Sequence, residues 1–130
     1  MLLFGHRFID YQPFYHIEEI DAIDRTPSNS TLFVKFHEST LDIITHLQKH
    51  DLSFALEVST LIEVVYAHNL GARYILVSPT LSKSAQDIAE NYLFDAKILC
   101  RLESEDMLEE KIIEGIDGVI FSEAILKVTN

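Results

Sequence analysis

The chain has 130 residues, 48% of them hydrophobic, which is enough to bury the core of one domain. Its 10 basic and 21 acidic side chains give a formal net charge of −11. A surface this acidic repels phosphate backbones and anionic lipids, so we expect neither a nucleic-acid nor a membrane partner.

Cysteine usage and the terminal sequence point to the cytoplasm. The only cysteine, Cys100, lies in an apolar run and cannot form a disulfide within one chain. The first residues lack the basic and apolar regions of a signal peptide, and no run approaches the ~20 apolar residues of a membrane span. We therefore predict a cytoplasmic protein, and no motif indicates a metal or a cofactor.

Residues 1–31 form an aromatic segment without the pattern of the rest of the chain. The stretch "LLFGHRFIDYQPFYHI" favours extended structure, broken at Gln12-Pro13, and "DAIDRTPSNS" is typical of a loop. We predict an N-terminal arm that packs on the sheet edge or on a second copy of the chain. A homodimer would then form through the arm's aromatic residues, which are Phe4, Phe8, Tyr11, Phe14 and Tyr15.

From residue 32 onward, short apolar runs alternate with amphipathic helical segments. The predicted strands are 32–36, 54–58, 73–77, 96–102 and 118–121, and the predicted helices are 40–50, 60–70, 81–94, 105–114 and a short one from Glu123. This alternation is typical of parallel βαβ units, and runs that are apolar on both faces indicate strands covered on both sides.

These repeats predict a single α/β domain over residues 1–130. Its architecture is predicted as a three-layer sandwich with a five-stranded parallel sheet, flavodoxin-like in general form, preceded by the arm. An open half (βα)8 barrel that pairs with a second chain is the alternative.

Polar side chains follow the predicted strands at their carboxyl ends, where ligands bind in parallel sheets. The candidate ligand-binding residues there are Ser59, Ser78, Thr80, Glu103 and Ser122, and the candidate catalytic residues are Glu57, His37 and Arg101. Helix capping is the competing interpretation, because serine, threonine and glutamate at helix starts satisfy free backbone N–H groups and the helix dipole.

Glu57 stands out because it lies inside an apolar strand, where a carboxylate is rarely buried unless it is paired. Lys35 and Arg101 are its candidate partners. Glu57 is therefore either one half of a structural ion pair or a catalytic acid. A phosphate site is not favoured, because no glycine lies between a strand's carboxyl end and the next helix.

Three short stretches resemble the 2-keto-3-deoxy-6-phosphogluconate aldolase family of (βα)8-barrel lyases. "GARYILVSPTLS" resembles the family's Gly-Ala, strand, Ser-Pro segment, and Leu56-Glu57-Val58-Ser59 resembles its Leu-Glu-Val-Thr strand. "DGVIFSEAI" lies where the family has its Schiff-base lysine strand, but no lysine stands there. The resemblance, over residues 54–125, implies an acid/base role for Glu57 and a βα-repeat architecture.

Two functional hypotheses follow. The first is a non-catalytic binding or regulatory module that forms a homodimer. The second is a lyase- or isomerase-type enzyme that acts on a small carbonyl or phosphorylated metabolite at the carboxyl edge of the sheet.

Overall fold

The structure is a computed structural model of one chain and describes residues 1–128, so the last two residues of the predicted domain lie outside the described part. Within residues 1–128 the strands are β1 (Leu2–Phe4), β2 (Phe14–His16), β3 (Thr31–Lys35), β4 (Phe54–Glu57), β5 (Tyr74–Val77), β6 (Lys97–Leu102), β7 (Gly118–Phe121) and β8 (Ile125–Lys127). The α-helices are α1 (Leu41–Lys49), α2 (Leu61–Asn69), α3 (Pro79–Asn91) and α4 (Leu108–Glu114).

The strands and helices predicted from local sequence patterns after residue 31 form at nearly the predicted positions. All five strands predicted after residue 31 form, as β3 to β7, and four of the predicted helices form as α1 to α4. Thr60 caps α2, since its hydroxyl accepts from the Glu63 amide at 3.2 Å, and the Glu63 carboxylate accepts from the amide of Ser59, one residue before the cap, at 2.9 Å. The helix predicted from Glu123 is wrong, since a single 3₁₀ turn there leads directly into β8.

The sheet has eight parallel strands rather than the predicted five, in the order β1-β7-β6-β5-β4-β3-β2-β8. Two of the additional strands, β1 and β2, come from the predicted arm. β1 pairs with β7, and β2 pairs with both β3 and β8. The first residues are therefore part of the sheet.

The sheet curls strongly, as two observations show. β1 and β2 lie six strands apart in the sheet, about 29 Å if it were flat, yet the rings of Phe4 and Phe14 have centroids 5.0 Å apart. β7 and β8 are also six strands apart, but only Ser122–Ala124 connects them, and that connection spans at most about 14 Å. The alternative expectation of an open half-barrel fits this arrangement.

The two faces of the curled sheet have different environments. The outer face packs against the helices in a large cluster that includes Val34, Leu56 and Ile98. The inner cluster is built around buried side chains of the strands and Ala124; these are Phe14, Phe33, Ala55, Leu76, Leu99, Ile120 and Ala124. A three-layer sandwich, in the flavodoxin-like form predicted, requires helices on both faces and does not describe this sheet. The inner face is covered by the opposite strands instead.

Candidate functional site

Strand alternation places polar side chains at the carboxyl ends of four neighbouring strands. Ala55, Leu76, Leu99 and Ile120 belong to the inner cluster. Because side chains alternate between faces with a period of two, the residues two positions later share that face. Those residues are Glu57, Ser78, Arg101 and Ser122.

Arg101 is the centre of a hydrogen-bonded chain at this edge. Its Nη1 donates to Glu57 Oε2 at 2.7 Å and its Nε donates to Ser122 Oγ at 3.2 Å. The Ser122 hydroxyl donates in turn to Glu103 Oε1 at 2.6 Å. Of the two partners predicted for Glu57, Arg101 forms the ion pair.

The ion pair is partly accessible, with the side chains of Arg101 and Glu57 exposed at 30% and 25%. Neither charge is deeply desolvated. The ion pair therefore costs less desolvation energy than a buried pair would, and it contributes little to stability. Two of the three guanidinium nitrogens have partners. Within residues 1–128 the third, Nη2, has none, so it can donate to a ligand.

A cavity of about 640 Å³ lies beside this chain at the carboxyl ends of β4, β5 and β6; we call it the carboxyl-end cavity. Its lining residues are Glu57, Val58, Ser59, Val77, Ser78, Pro79, Arg101, Leu102, Glu103, Ser104, Asp106 and Met107. Three carboxylates and one guanidinium give this lining a net charge of −2. A polyanionic ligand is therefore disfavoured there.

Most of the candidate residues meet at this cavity. Glu57, Arg101, Ser59, Ser78 and Glu103 line it. Ser122 reaches its edge through hydrogen bonds to Arg101 and Glu103. Thr80 does not line the cavity, but its hydroxyl lies 3.1 Å from that of Ser78.

The enzyme hypothesis predicted that His37 lies next to Glu57 and Arg101, but the structure places it elsewhere. It starts the short 3₁₀ turn before α1, where its backbone amide donates to Thr40 Oγ1 at 3.1 Å. Its side chain lines a separate groove with Leu41 and Tyr66. At this position the capping interpretation describes the local contacts.

His16 is a residue that the sequence analysis missed. Its ring meets the Phe33 ring edge-on at a centroid distance of 4.8 Å. Burial lowers the pKa of His16, and the charges of Lys35 and Lys127 lower it further, while Glu18 and Glu57 oppose this effect. His16 lies in β2, and the sequence predicted this part of the chain as an N-terminal arm preceding the sheet.

Thiol and metal chemistry find little support. Cys100 is buried, and that burial raises the pKa of its thiol, so the thiolate is disfavoured. The burial of Cys100 agrees with its position in an apolar run of the sequence. Among residues 1–128, no group of three or more His, Cys, Asp or Glu side chains is placed to hold a metal ion.

A scan against protein-family models finds no match to this chain, and a search of curated proteins finds none either. None of the helices within the described residues has the length and hydrophobicity needed to cross a membrane.

Proposed function

We propose that this chain is a cytoplasmic, non-catalytic binding module whose ligand is a small carbonyl compound held in the carboxyl-end cavity. The observation that carries the proposal is Arg101, which Glu57 and Ser122 hold in place while Nη2 has no partner among residues 1–128. A pre-positioned guanidinium is a strong donor to a carbonyl or carboxylate oxygen.

The remainder of the cavity suits a compact ligand with an apolar body. Val58, Val77, Leu102 and Met107 provide apolar walls. The hydroxyl of Ser78 and the carboxylate of Glu103 lie on the same lining and can bond to ligand hydroxyl groups. The net charge of −2 favours an uncharged carbonyl compound over a phosphorylated one.

The composition of the lining supports binding over covalent catalysis. Among the described residues that line the cavity there is no lysine, histidine or cysteine. The strand that resembles the lysine strand of the aldolase family is β7, whose residues Gly118–Phe121 are all apolar. A Schiff-base mechanism therefore has no nucleophile in this cavity.

A lyase or isomerase remains the second candidate, and one observation favours it. Glu57, the residue that resembles the family's acid/base glutamate, lines the cavity next to Arg101. A carboxylate beside a guanidinium can move a proton at a carbon next to a carbonyl group that the guanidinium polarises.

A thermal-shift screen with short 2-oxo acids, hydroxyketones and sugar phosphates tests the binding proposal. The test variant is Glu57→Gln combined with Arg101→Met, which removes both charges of the ion pair together and leaves neither charge unpaired. The control is Arg25→Gln. Arg25 forms an ion pair with Glu19 at an N–O distance of 3.2 Å, and neither residue lines the cavity.

We expect at least one uncharged carbonyl compound to raise the melting temperature of the wild type and of the control, but not that of the double variant. Absence of any shift across the panel, or an equal shift in the double variant, contradicts the proposal. Turnover of a bound compound, followed by NMR and lost in Glu57→Gln while binding persists, would establish the enzyme instead.

Three of the five aromatic residues predicted to form a dimer interface pack within the chain itself. Phe14 is buried, and Phe4 and Tyr15 pack against the two clusters of the fold. Phe8 and Tyr11 are left, exposed at 73% and 37%. We propose that any dimer of this chain uses these two, so that Phe8→Ser lowers the sedimentation coefficient; an unchanged coefficient contradicts it.

A further inference from the structure

A second cavity, of about 730 Å³, lies at the amino ends of β2, β3 and β5; we call it the amino-end cavity. Three rings form a cluster on one side of it. The Phe4 and Phe14 centroids are 5.0 Å apart, those of Phe14 and Tyr74 are 5.1 Å apart, and those of Phe4 and Tyr74 are 5.6 Å apart. Tyr11 adds a more exposed aromatic side chain to the lining.

Arg73 provides an unused positive charge at this cavity. Its Cζ lies 5.5 Å from the centroid of the Tyr74 ring. Within residues 1–128, its guanidinium forms no ion pair and no hydrogen bond, in contrast to the guanidinium of Arg101. The backbone of Arg73 is fixed nonetheless, because its amide donates to Phe54 O at 2.8 Å and its carbonyl accepts from the Lys97 amide at 3.0 Å.

One further polar group near Arg73 has no partner within residues 1–128, the hydroxyl of Ser53. A neighbouring cavity of about 540 Å³ shares Arg73 and the loop 27–30, and is also lined by Ser53. The Ser53 hydroxyl oxygen is buried and has no hydrogen-bond partner in the described structure. A buried polar atom without a partner is uncommon in a folded protein and is explained where a ligand or water supplies the bond.

Charge distinguishes this cavity from the other one. The amino-end cavity is lined by one acidic residue, Asp10, and one basic residue, Arg73, so its net charge is zero. The carboxyl-end cavity carries −2. On a protein with a net charge of −11, an organic anion is repelled least where an arginine lacks an acidic partner.

We propose that the amino-end cavity binds a small aromatic carboxylate. Arg73 pairs with the carboxylate, because a guanidinium presents parallel N–H donors to its two oxygens. The ring of the ligand lies against Tyr74 and Tyr11, since aromatic rings associate favourably in offset or edge-on arrangements. Ser28 and Asn29, both on the lining, offer further hydrogen bonds. This site is independent of the carboxyl-end cavity and of its proposed ligand.

The experiment titrates the full chain with phenylacetate and 4-hydroxyphenylacetate by NMR, with phenylacetamide as the matched uncharged probe and acetate as the matched probe without a ring. The test variant is Arg73→Gln. The control variant is Arg7→Gln, because the Cζ of Arg7 also lies over an aromatic ring, at 4.4 Å from the Phe8 centroid, but outside the amino-end cavity.

We expect saturable binding of both aromatic carboxylates, with binding at least about tenfold weaker in Arg73→Gln and unchanged in Arg7→Gln. Phenylacetamide and acetate should each bind more weakly than phenylacetate. A Tyr74→Leu variant, which keeps an apolar side chain, should weaken binding while Arg73 remains in place.

Three results overturn the proposal. The first is no saturable binding of either carboxylate by the wild type. The second is equal binding of phenylacetate by Arg73→Gln and the wild type. The third is loss of binding in the Glu57→Gln and Arg101→Met double variant but not in Arg73→Gln, which assigns the probe to the carboxyl-end cavity.

Discussion

Replacing Phe14 with alanine tests whether the first strands are part of the core or a dimerisation arm. Phe14 is 1% exposed, and its ring contacts those of Phe4 and Tyr74 at centroid distances of 5.0 and 5.1 Å. Loss of about 120 Å² of buried apolar surface costs about 3 kcal/mol, and the cavity left behind adds to this cost. We expect Phe14→Ala to lower the free energy of unfolding by about 4 kcal/mol.

Urea denaturation followed by circular dichroism, at two protein concentrations tenfold apart, measures this effect. The matched control is Tyr92→Ala, because Tyr92 is 72% exposed and its truncation should change the free energy by less than about 0.5 kcal/mol. The reasoning is refuted if Phe14→Ala costs less than about 1 kcal/mol. It is equally refuted if the stability lost is only the part that depends on protein concentration, since Phe14 would then act between chains.

Two further predictions concern His16 and Gly118. The pKa of His16 is lower in the folded chain than its ordinary value of 6.5. Between 6.5 and the lower folded-state pKa, the unfolded chain binds more protons than the folded chain. Stability therefore falls as the pH drops through this interval. His16→Gln should reduce this acid loss of melting temperature, and equal slopes in the variant and the wild type contradict the assignment. A Cβ on Gly118 would lie 2.7 Å from Leu99 Cδ2 and 2.9 Å from the Leu2 carbonyl oxygen. Gly118→Ala should therefore cost about 1–3 kcal/mol in urea denaturation, and an unchanged midpoint would show that β1 does not pack against β7 as described.

The sequence predicted most residues of the candidate site, but not which of them contact one another. Placing polar residues at strand ends identified Glu57, Arg101 and the serines, because the carboxyl ends of parallel strands share one edge of the sheet. Which of them meet depends on contacts between residues far apart in sequence. Arg101 reaches Glu57 across 44 positions of sequence, while His37 instead caps a turn in its own segment.

The amino-end cavity had no local signal at all. Arg73 is the first residue of a predicted strand, and the "DAIDRTPSNS" segment is typical of a loop. Only the curled sheet brings that loop, Tyr74 and the first two strands together around one space. The tendency of ligands to bind at the carboxyl ends of parallel strands does not point to this end of the sheet.

Periodicity and capping determined five strands and four helices, since each of these features depends on residues within one or two turns of each other. The parallel arrangement followed from the alternation of strands and helices along the chain. The position of the first strands, the number of strands and the curl of the sheet depend on which inner faces cover one another. A hydrophobic run such as 14–17 is compatible with an edge, an interface or a core, because apolar burial is non-directional. Only the tertiary structure, in which Phe14 meets Phe4 and Tyr74 across the curled sheet, decides between them.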